Sequence, residues 1–140
     1  MWAGEYLTIP FVDHGRDHSG CDCYGLGRLV LKEQKNIELP SLLDVYDDIK
    51  DTAKLQQHIT YTAAQEKMWQ PIPKNNEQEF DFIIMRIMGL PVHMGIVTRK
   101  GWMLHIIDGS NANEVPYTKG EWSLPGKIIG FYRHKELCKQ

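Results

Sequence analysis

Pro91-Val92-His93-Met94-Gly95-Ile96-Val97-Thr98, then Arg99-Lys100-Gly101, then Trp102-Met103-Leu104-His105-Ile106-Ile107, reads as two β-strands joined by a tight turn. Both runs are rich in β-branched and aromatic residues, and the connection ends in glycine. A three-residue loop, Arg99 to Gly101 with Gly101 left-handed, is a common hairpin solution. Thr98 then faces Trp102, Gly95 faces His105, and His93 faces Ile107. In that register His93 and His105 share a face as diagonal neighbours, about 7–8 Å apart at Cα and within side-chain reach. Gly95 is expected to leave room between them. A two-residue loop would put the two rings on opposite faces.

Outward from this hairpin the same chemistry continues. Segments 80–88, 92–98, 102–108 and 127–132 are rich in Ile, Val and aromatics and are bounded by Gly, Pro or Asn, which predicts strands. The first half has a different period. Asp22 precedes an i, i+3, i+4 stripe through Leu26, Leu29 and Val30, which predicts a helix capped by Asp22 and running to about Lys35. Gly25 and Gly27 disfavour that helix by about 1 kcal/mol each against Ala, so something must pack closely on its first turn. Residues 41–69 read as helical in at least two pieces, with Thr62-x-x-Gln65 at capping-box spacing before Lys67, Met68 and Trp69. The acidic run Asp44, Asp47, Asp48 and Asp51 reads as a solvated helix face. Helices followed by an antiparallel sheet predict an α+β fold.

The 140 residues are expected to form one domain, 1–140, at about 100–200 residues per domain. With 42% hydrophobic and 24% charged residues, disordered and fibrous classes are excluded. Sixteen Lys/Arg against eighteen Asp/Glu, scattered along the chain, give no basic patch, so nucleic acid is not an expected partner. No apolar run approaches the roughly 20 residues of a membrane span. Met1 to Pro10 carries Glu5 and no basic segment, unlike a secretory signal, so synthesis in the cytoplasm is expected. The three cysteines, Cys21, Cys23 and Cys138, do not make a disulfide framework. Cys138 reads as an incidental exposed thiol and Cys21 as a loop thiol. Trp102 and Met103 read as core.

Cys23 sits at the first helical position if Asp22 is the cap. Free amides and the positive end of the helix dipole favour a thiolate there, and Gly25 is expected to clear space above the sulfur. A reactive thiol beside two histidines on one strand face is the nucleophile, base and orienter arrangement, with His93 as base and His105 holding its tautomer. Each residue also has an inert reading: Cys23 as a small buried hydrophobe, the histidines as satisfied core or surface side chains. A metal alternative is His14, His18, Cys21 and Cys23, spaced H-x3-H-x2-C-x-C, which could supply four zinc ligands. Its C-x-C step is tighter than structural zinc sites use.

These residues also carry a resemblance. Ile9-Pro10-Phe11, Gly15-Arg16-Asp17 and Asp22-Cys23-Tyr24-Gly25-Leu26 resemble the N-terminal half of an NlpC-type cell-wall cysteine peptidase, in particular the variants in tailed-phage tail tips. Trp69-Gln70-Pro71-Ile72-Pro73, Asp81-Phe82 and Val92 through Val97 are similar to the second half. His105, twelve residues after His93, matches the family spacing, and Gly130-Phe131-Tyr132-Arg133 resembles the closing strand. The resemblance implies a papain-like α+β fold, N-terminal helices packed on a C-terminal antiparallel sheet. It implies a Cys23, His93, His105 triad that needs no cofactor or metal. It further implies hydrolysis of a peptidoglycan stem peptide, commonly at the D-γ-glutamyl–diaminopimelate bond. The phage-type likeness implies a place in the virion tail among other tail proteins. The family usually has Tyr where Phe11 stands and Ser where Tyr24 stands. Tyr6 or Tyr24 could replace the missing hydroxyl, and Asp22, Tyr24, Phe11 and Tyr6 are the oxyanion or substrate-binding candidates. The alternatives are a structural tail-tip module with weak or no turnover, and a zinc-stabilised binding domain.

Overall fold

The structure is a computed structural model that describes residues 1–43, 68–87 and 90–139. The helical pieces and the acidic run expected within 44–67 lie outside the described residues. The helix expected after Asp22 is present as α1 (Cys23–Lys35). Asp22 has extended backbone and its carboxylate accepts from the Gly25 amide at 2.8 Å, the bond a capping side chain is there to make. Asn36 closes the other end in the left-handed conformation, its amide reaching the Leu31 and Lys32 carbonyls.

The two helical glycines are explained by what touches them. A Cβ at Gly25 would stand 2.0 Å from the Gly15 carbonyl oxygen, and one at Gly27 would stand 2.6 Å from the Phe82 ring. The space at Gly25 is therefore taken by backbone, not kept open for a substrate as the sequence suggested. Gly25→Ala is expected to destabilise the protein by at least about 1–3 kcal/mol, because backbone cannot yield as a side chain can. Urea unfolding would measure it, and an unchanged midpoint would contradict the packing.

Two short strands, β1 (Arg16–Asp17) and β2 (Gly20–Cys21), pair just before α1. The remaining strands are β3 (Trp69–Ile72), β4 (Phe82–Ile87), β5 (Leu90–Arg99), β6 (Trp102–His105), β7 (Asn113–Pro116) and β8 (Ile128–His134). They form one sheet in the order β3-β8-β4-β5-β6-β7, with every pair antiparallel. The α+β expectation holds. The end of the second predicted helix does not: Trp69 opens β3 instead, paired with His134. Its ring is buried 4.7 Å from the Phe82 ring, so tertiary packing overrides the local helical pattern.

Alternate residues of the central strands face two apolar clusters. Phe82, Ile84, Met94, Ile96 and Leu104 pack with α1 residues such as Leu26 and Val30. Ile83, Met85, Val97 and Met103 pack with Tyr117, Trp122 and Phe131. Burial on both faces explains why β4 is apolar without alternation. The closing strand lies inside the sheet, and Arg133 grips the fully buried Asp81 through two bonds of 2.8 and 2.9 Å.

The β5–β6 hairpin differs from expectation in one detail that matters. Arg99 pairs with Trp102, so Lys100-Gly101 forms a two-residue connection. Taken alone, that would put the histidines on opposite faces. A bulge between Val97 and Arg99 restores the register: Ile96 faces Leu104 and Val97 faces Met103. Thr98 is the extra residue, and the bulge undoes the one-residue slip. Gly101 has φ +92, the left-handed conformation expected of it. Gly95, expected to separate the rings, is instead closely packed by Met103 and Ile83. Trp102 is half-buried, with the Arg99 guanidinium 4.7 Å above its ring, whereas Met103 is core. Among the described residues no helix is long and apolar enough to cross a membrane.

Candidate active site

The N-terminal strand of chain builds the approach to Cys23. Phe11 donates its amide to the Ser110 carbonyl and bridges to Cys21, while the Cys21 amide reaches the Pro10 carbonyl. Arg16 then fixes the helix cap, meeting Asp22 at 2.9 Å and the Gly15 carbonyl at 2.9 Å. With the cap held, Cys23 starts α1 against β5. Its sulfur accepts from the backbone amides of Met94 and Tyr24. In the β5–β6 register Met94 faces position 106, one past the end of β6. The Met94 amide therefore goes to the sulfur. His93 is the residue before Met94 on β5, the strand against which α1 packs.

His93 Nε2 lies 2.9 Å from His105 Nδ1, with the rings edge to face at 5.1 Å between centroids. The shared face expected from the hairpin register is thus observed, and as a direct hydrogen bond. Trp122 stacks on His93 at 5.3 Å and meets His105 edge-on at 5.5 Å. Asn113 stands directly across from His105 between β6 and β7.

Burial dominates the electrostatics. Cys23, His93 and His105 keep 8%, 4% and 3% of their surface, and desolvation disfavours the charged form of each. It pushes the Cys23 thiol up to about 12, helped by the Asp22 carboxylate and opposed by the two amide bonds and Arg16. It pulls His93 down to about 3, with the neighbouring His105 adding to the effect. His105 falls to about 4, its bond to Asn113 pulling the other way. This corrects the expectation of a thiolate at the helix start. The dipole is real, but removing the sulfur from water outweighs it, and the resting groups are a protonated thiol and neutral imidazoles. Iodoacetamide should therefore label Cys23 more slowly at pH 7 than the exposed Cys138, with a rate still climbing above about pH 9. Peptide mapping of the labelled protein measures both rates, and a Cys23 rate that levels off below pH 7 would contradict this.

The other candidates lie elsewhere or serve the scaffold. Tyr24 is buried and donates its hydroxyl to the Pro40 carbonyl at 2.7 Å. Tyr6 donates to Glu33 at 2.8 Å and stacks on His18. Glu33 is ten residues along α1 from Cys23, about 15 Å at 1.5 Å per residue, so Tyr6 is not brought to the thiol. Phe11 is half-buried and brings no hydroxyl, and the Asp22 carboxylate is committed to Gly25, His14 and Arg16. The four possible zinc ligands do not converge. His14 meets Asp13, His18 meets Glu33, Cys21 donates to the Asp17 carbonyl, and Cys23 faces Met94. No group of three or more metal-ligating side chains occurs among the described residues, which removes the zinc-stabilised reading.

Sequence reasoning missed Trp122 and Asn113. Each comes from an irregular stretch or short strand with no periodic signal, and only the tertiary fold carries them to the histidines. A cavity of about 450 Å³, walled in part by Trp122, Tyr117, Leu124 and Phe131, adjoins the pair through Trp122 but is not lined by Cys23, His93 or His105.

Three solved structures share this fold. An NlpC/P60 family protein from Bacillus cereus ATCC 10987 superposes with a TM-score of 0.63 at 17% identity, over 94% of this chain and 37% of that one. The NlpC/p60 domain of the peptidoglycan hydrolase SagA gives 0.58 at 16% identity, over 94% and 92%. A protein similar to lipoprotein, of the NLP/P60 family, from Staphylococcus aureus subsp. aureus Mu50 gives 0.60 at 23% identity, over 94% and 38%. The chain thus spans well under half of the first and third. No curated protein matches the sequence. The sequence itself matches the NlpC/P60 family over residues 8–124. With the helix-borne cysteine, the strand-borne histidines and that match in agreement, the chain belongs to the NlpC/P60 family, whose members are generally cysteine peptidases acting on peptidoglycan.

Proposed function

We propose that residues 1–140 act as one cysteine peptidase domain on stem peptides of peptidoglycan, with Cys23 as nucleophile, His93 as general base and His105 as its orienting partner. The observation that carries this reading is the 2.9 Å contact between His93 Nε2 and His105 Nδ1, with His93 on β5, the strand that α1 packs against. That contact occupies Nε2 and leaves Nδ1 as the nitrogen for the thiol. His93 takes the Cys23 proton as the sulfur attacks the scissile carbonyl carbon, so charge separates only when substrate is present. The tetrahedral oxyanion is met by the Cys23 backbone N–H at the start of α1. The carbon–nitrogen bond then breaks and the leaving amine takes the proton from His93. Water, deprotonated by His93, hydrolyses the thioester, and Cys23 leaves as the thiol. Both ring nitrogens of His93 are needed, one for the proton and one for orientation, which is why a second histidine is useful.

The test is digestion of purified peptidoglycan and soluble muropeptides, with products identified by mass spectrometry. Cleavage within the stem, commonly at the D-γ-glutamyl–diaminopimelate bond, supports the proposal. A second reading, a wall-facing module with weak or no turnover, draws on the burial of the sulfur and the absence of a hydroxyl at Phe11. Intact stem peptides after stoichiometric incubation would favour it. The finer assignment to a phage tail, with other tail proteins as partners, rests on the tail-tip likeness of Asp22-Cys23-Tyr24-Gly25. Proteomics of purified virions would test it, and the protein's absence from them would end it.

A further inference from the structure

We propose that the cavity walled by Trp122 is a second binding site, one for a small zwitterionic amino acid, with Glu77 taking the ammonium and Lys74 and the Trp122 indole N–H taking the carboxylate. The site stands whether or not Cys23 and the two histidines turn over substrate, because none of the three lines it.

Polar groups of both signs line this cavity without being used. Glu77 keeps only 6% of its surface. Its Oε2 accepts from the Tyr117 hydroxyl at 2.7 Å, and that hydroxyl accepts in turn from the Gly101 amide at 2.9 Å. The carboxylate is thereby fixed, yet its buried Oε1 has no hydrogen-bond partner among the described residues. A buried acceptor without a donor is the costly arrangement, and a cationic donor relieves a carboxylate best. Lys74 lines the same cavity from an exposed position and makes no ion pair with Glu77 or with another carboxylate among the described residues. Trp122 meets His93, His105 and Lys127 through its ring. Its indole N–H, which can only donate, reaches no acceptor among the described residues. An acid and a base held apart across about 450 Å³, a size within the usual range of small-molecule sites, suit a ligand that carries both opposite charges on one small frame.

The remaining wall selects the body of that ligand. Tyr117 and Phe131, with ring centroids 5.7 Å apart, and Ile72 offer apolar surface to an aliphatic side chain. A hard metal ion is a poorer fit, since one carboxylate falls short of the oxygen set such ions require. Glu77 also borders a second, more open hollow flanked by Arg99 and Lys100. Those cations are engaged, Lys100 on the Asn75 carbonyl at 2.7 Å and Arg99 over the Trp102 ring at 4.7 Å. Their charge disfavours an ammonium approaching from that side. Because Oε1 is closed to solvent, the ammonium reaches it as side chains of the wall rotate, a change that commonly accompanies binding.

The experiment is a proton–nitrogen NMR titration of the full chain with leucine of each hand, beside isopentylamine, which lacks the carboxylate, and isocaproate, which lacks the ammonium. Leucine of one hand or both should give saturable shifts at the Tyr117, Ser123 and Phe131 amides, with a Kd of about 1–10 mM, the strength a ligand of this size reaches. Each analogue should bind about tenfold more weakly or worse. Glu77→Gln keeps an acceptor for Tyr117 and should weaken leucine about 10–100-fold, as loss of a charge-assisted bond does, while leaving isocaproate unchanged. Lys74→Gln should weaken leucine about 2–5-fold, the size of an exposed ion pair, while leaving isopentylamine unchanged. If Glu77→Gln does not fold, the comparison of the three ligands on the wild type decides by itself. Leucine that binds no better than either analogue, shifts confined to the Thr98 and Arg99 amides, or no saturable shift with leucine would overturn the inference, leaving Oε1 to water or to Lys74 itself. These outcomes are read without any hydrolysis, so they are separate from the fate of the catalytic reading.

Discussion

Cys23→Ala is expected to remove stem-peptide hydrolysis by about 10⁴-fold or more while leaving the fold intact, since loss of the nucleophile removes the covalent route altogether. What remains is the oxyanion donor and substrate binding, which alone give slow turnover. The stability effect is expected to be near 1 kcal/mol, because a small side chain is shortened without exposing a new polar group. The Met94 and Tyr24 amides lose their sulfur acceptor, which contributes part of that effect. Cys23→Ser should not restore activity. Its hydroxyl holds its proton more tightly than a thiol, and His93, held near 3, is a weak base. Turnover by the alanine variant within tenfold of wild type, measured on protein with an unchanged circular dichroism spectrum, would exclude Cys23 as the nucleophile.

The second large effect is on stability against pH. In the unfolded chain a histidine takes a proton below about 6.5. In the folded protein burial keeps His93 neutral down to about 3 and His105 down to about 4. Between those limits the unfolded state binds protons that the native state refuses, so stability is full above pH 6.5 and falls as the pH is lowered. At pH 5 each histidine lies about 1.5 pH units below its unfolded midpoint, which at about 1.4 kcal/mol per unit gives about 2 kcal/mol each and about 4 kcal/mol for the pair. His134, also lowered by burial, acts in the same direction. Urea unfolding at pH 8 and pH 5 measures the difference. The His93→Gln, His105→Gln double variant should lose most of it. Equal wild-type stability at the two pH values would mean that the rings are not held neutral in the interior.

Both effects trace to features of unequal visibility in the sequence. The helix of Cys23–Lys35 was readable from its Asp22 cap to about Lys35, because the cap and the apolar stripe act within a turn or two of where they stand. The sheet was readable as strands but not as an order. Nothing local places β8 between β3 and β4, and Trp69 reads as helical until the bulk of Phe82 and His134 is set beside it. The shared face of His93 and His105 was derived from the right register through the wrong turn. The register survives because the bulge at Thr98 compensates for a shorter loop. Tyr6 shows the opposite case: the resemblance made it a candidate for the hydroxyl missing at Phe11, while its own hydroxyl is spent on Glu33 far along the helix.

Residue types and their spacing thus determined the α+β class, the helix carrying Cys23 and the pairing of His93 with His105, because capping, amphipathic period and strand alternation are short-range rules. Tertiary structure decided the charge state of the thiol and the arrival of Trp122 and Asn113. Desolvation depends on everything packed around a group, and no local rule counts neighbours that lie a hundred residues away in the chain.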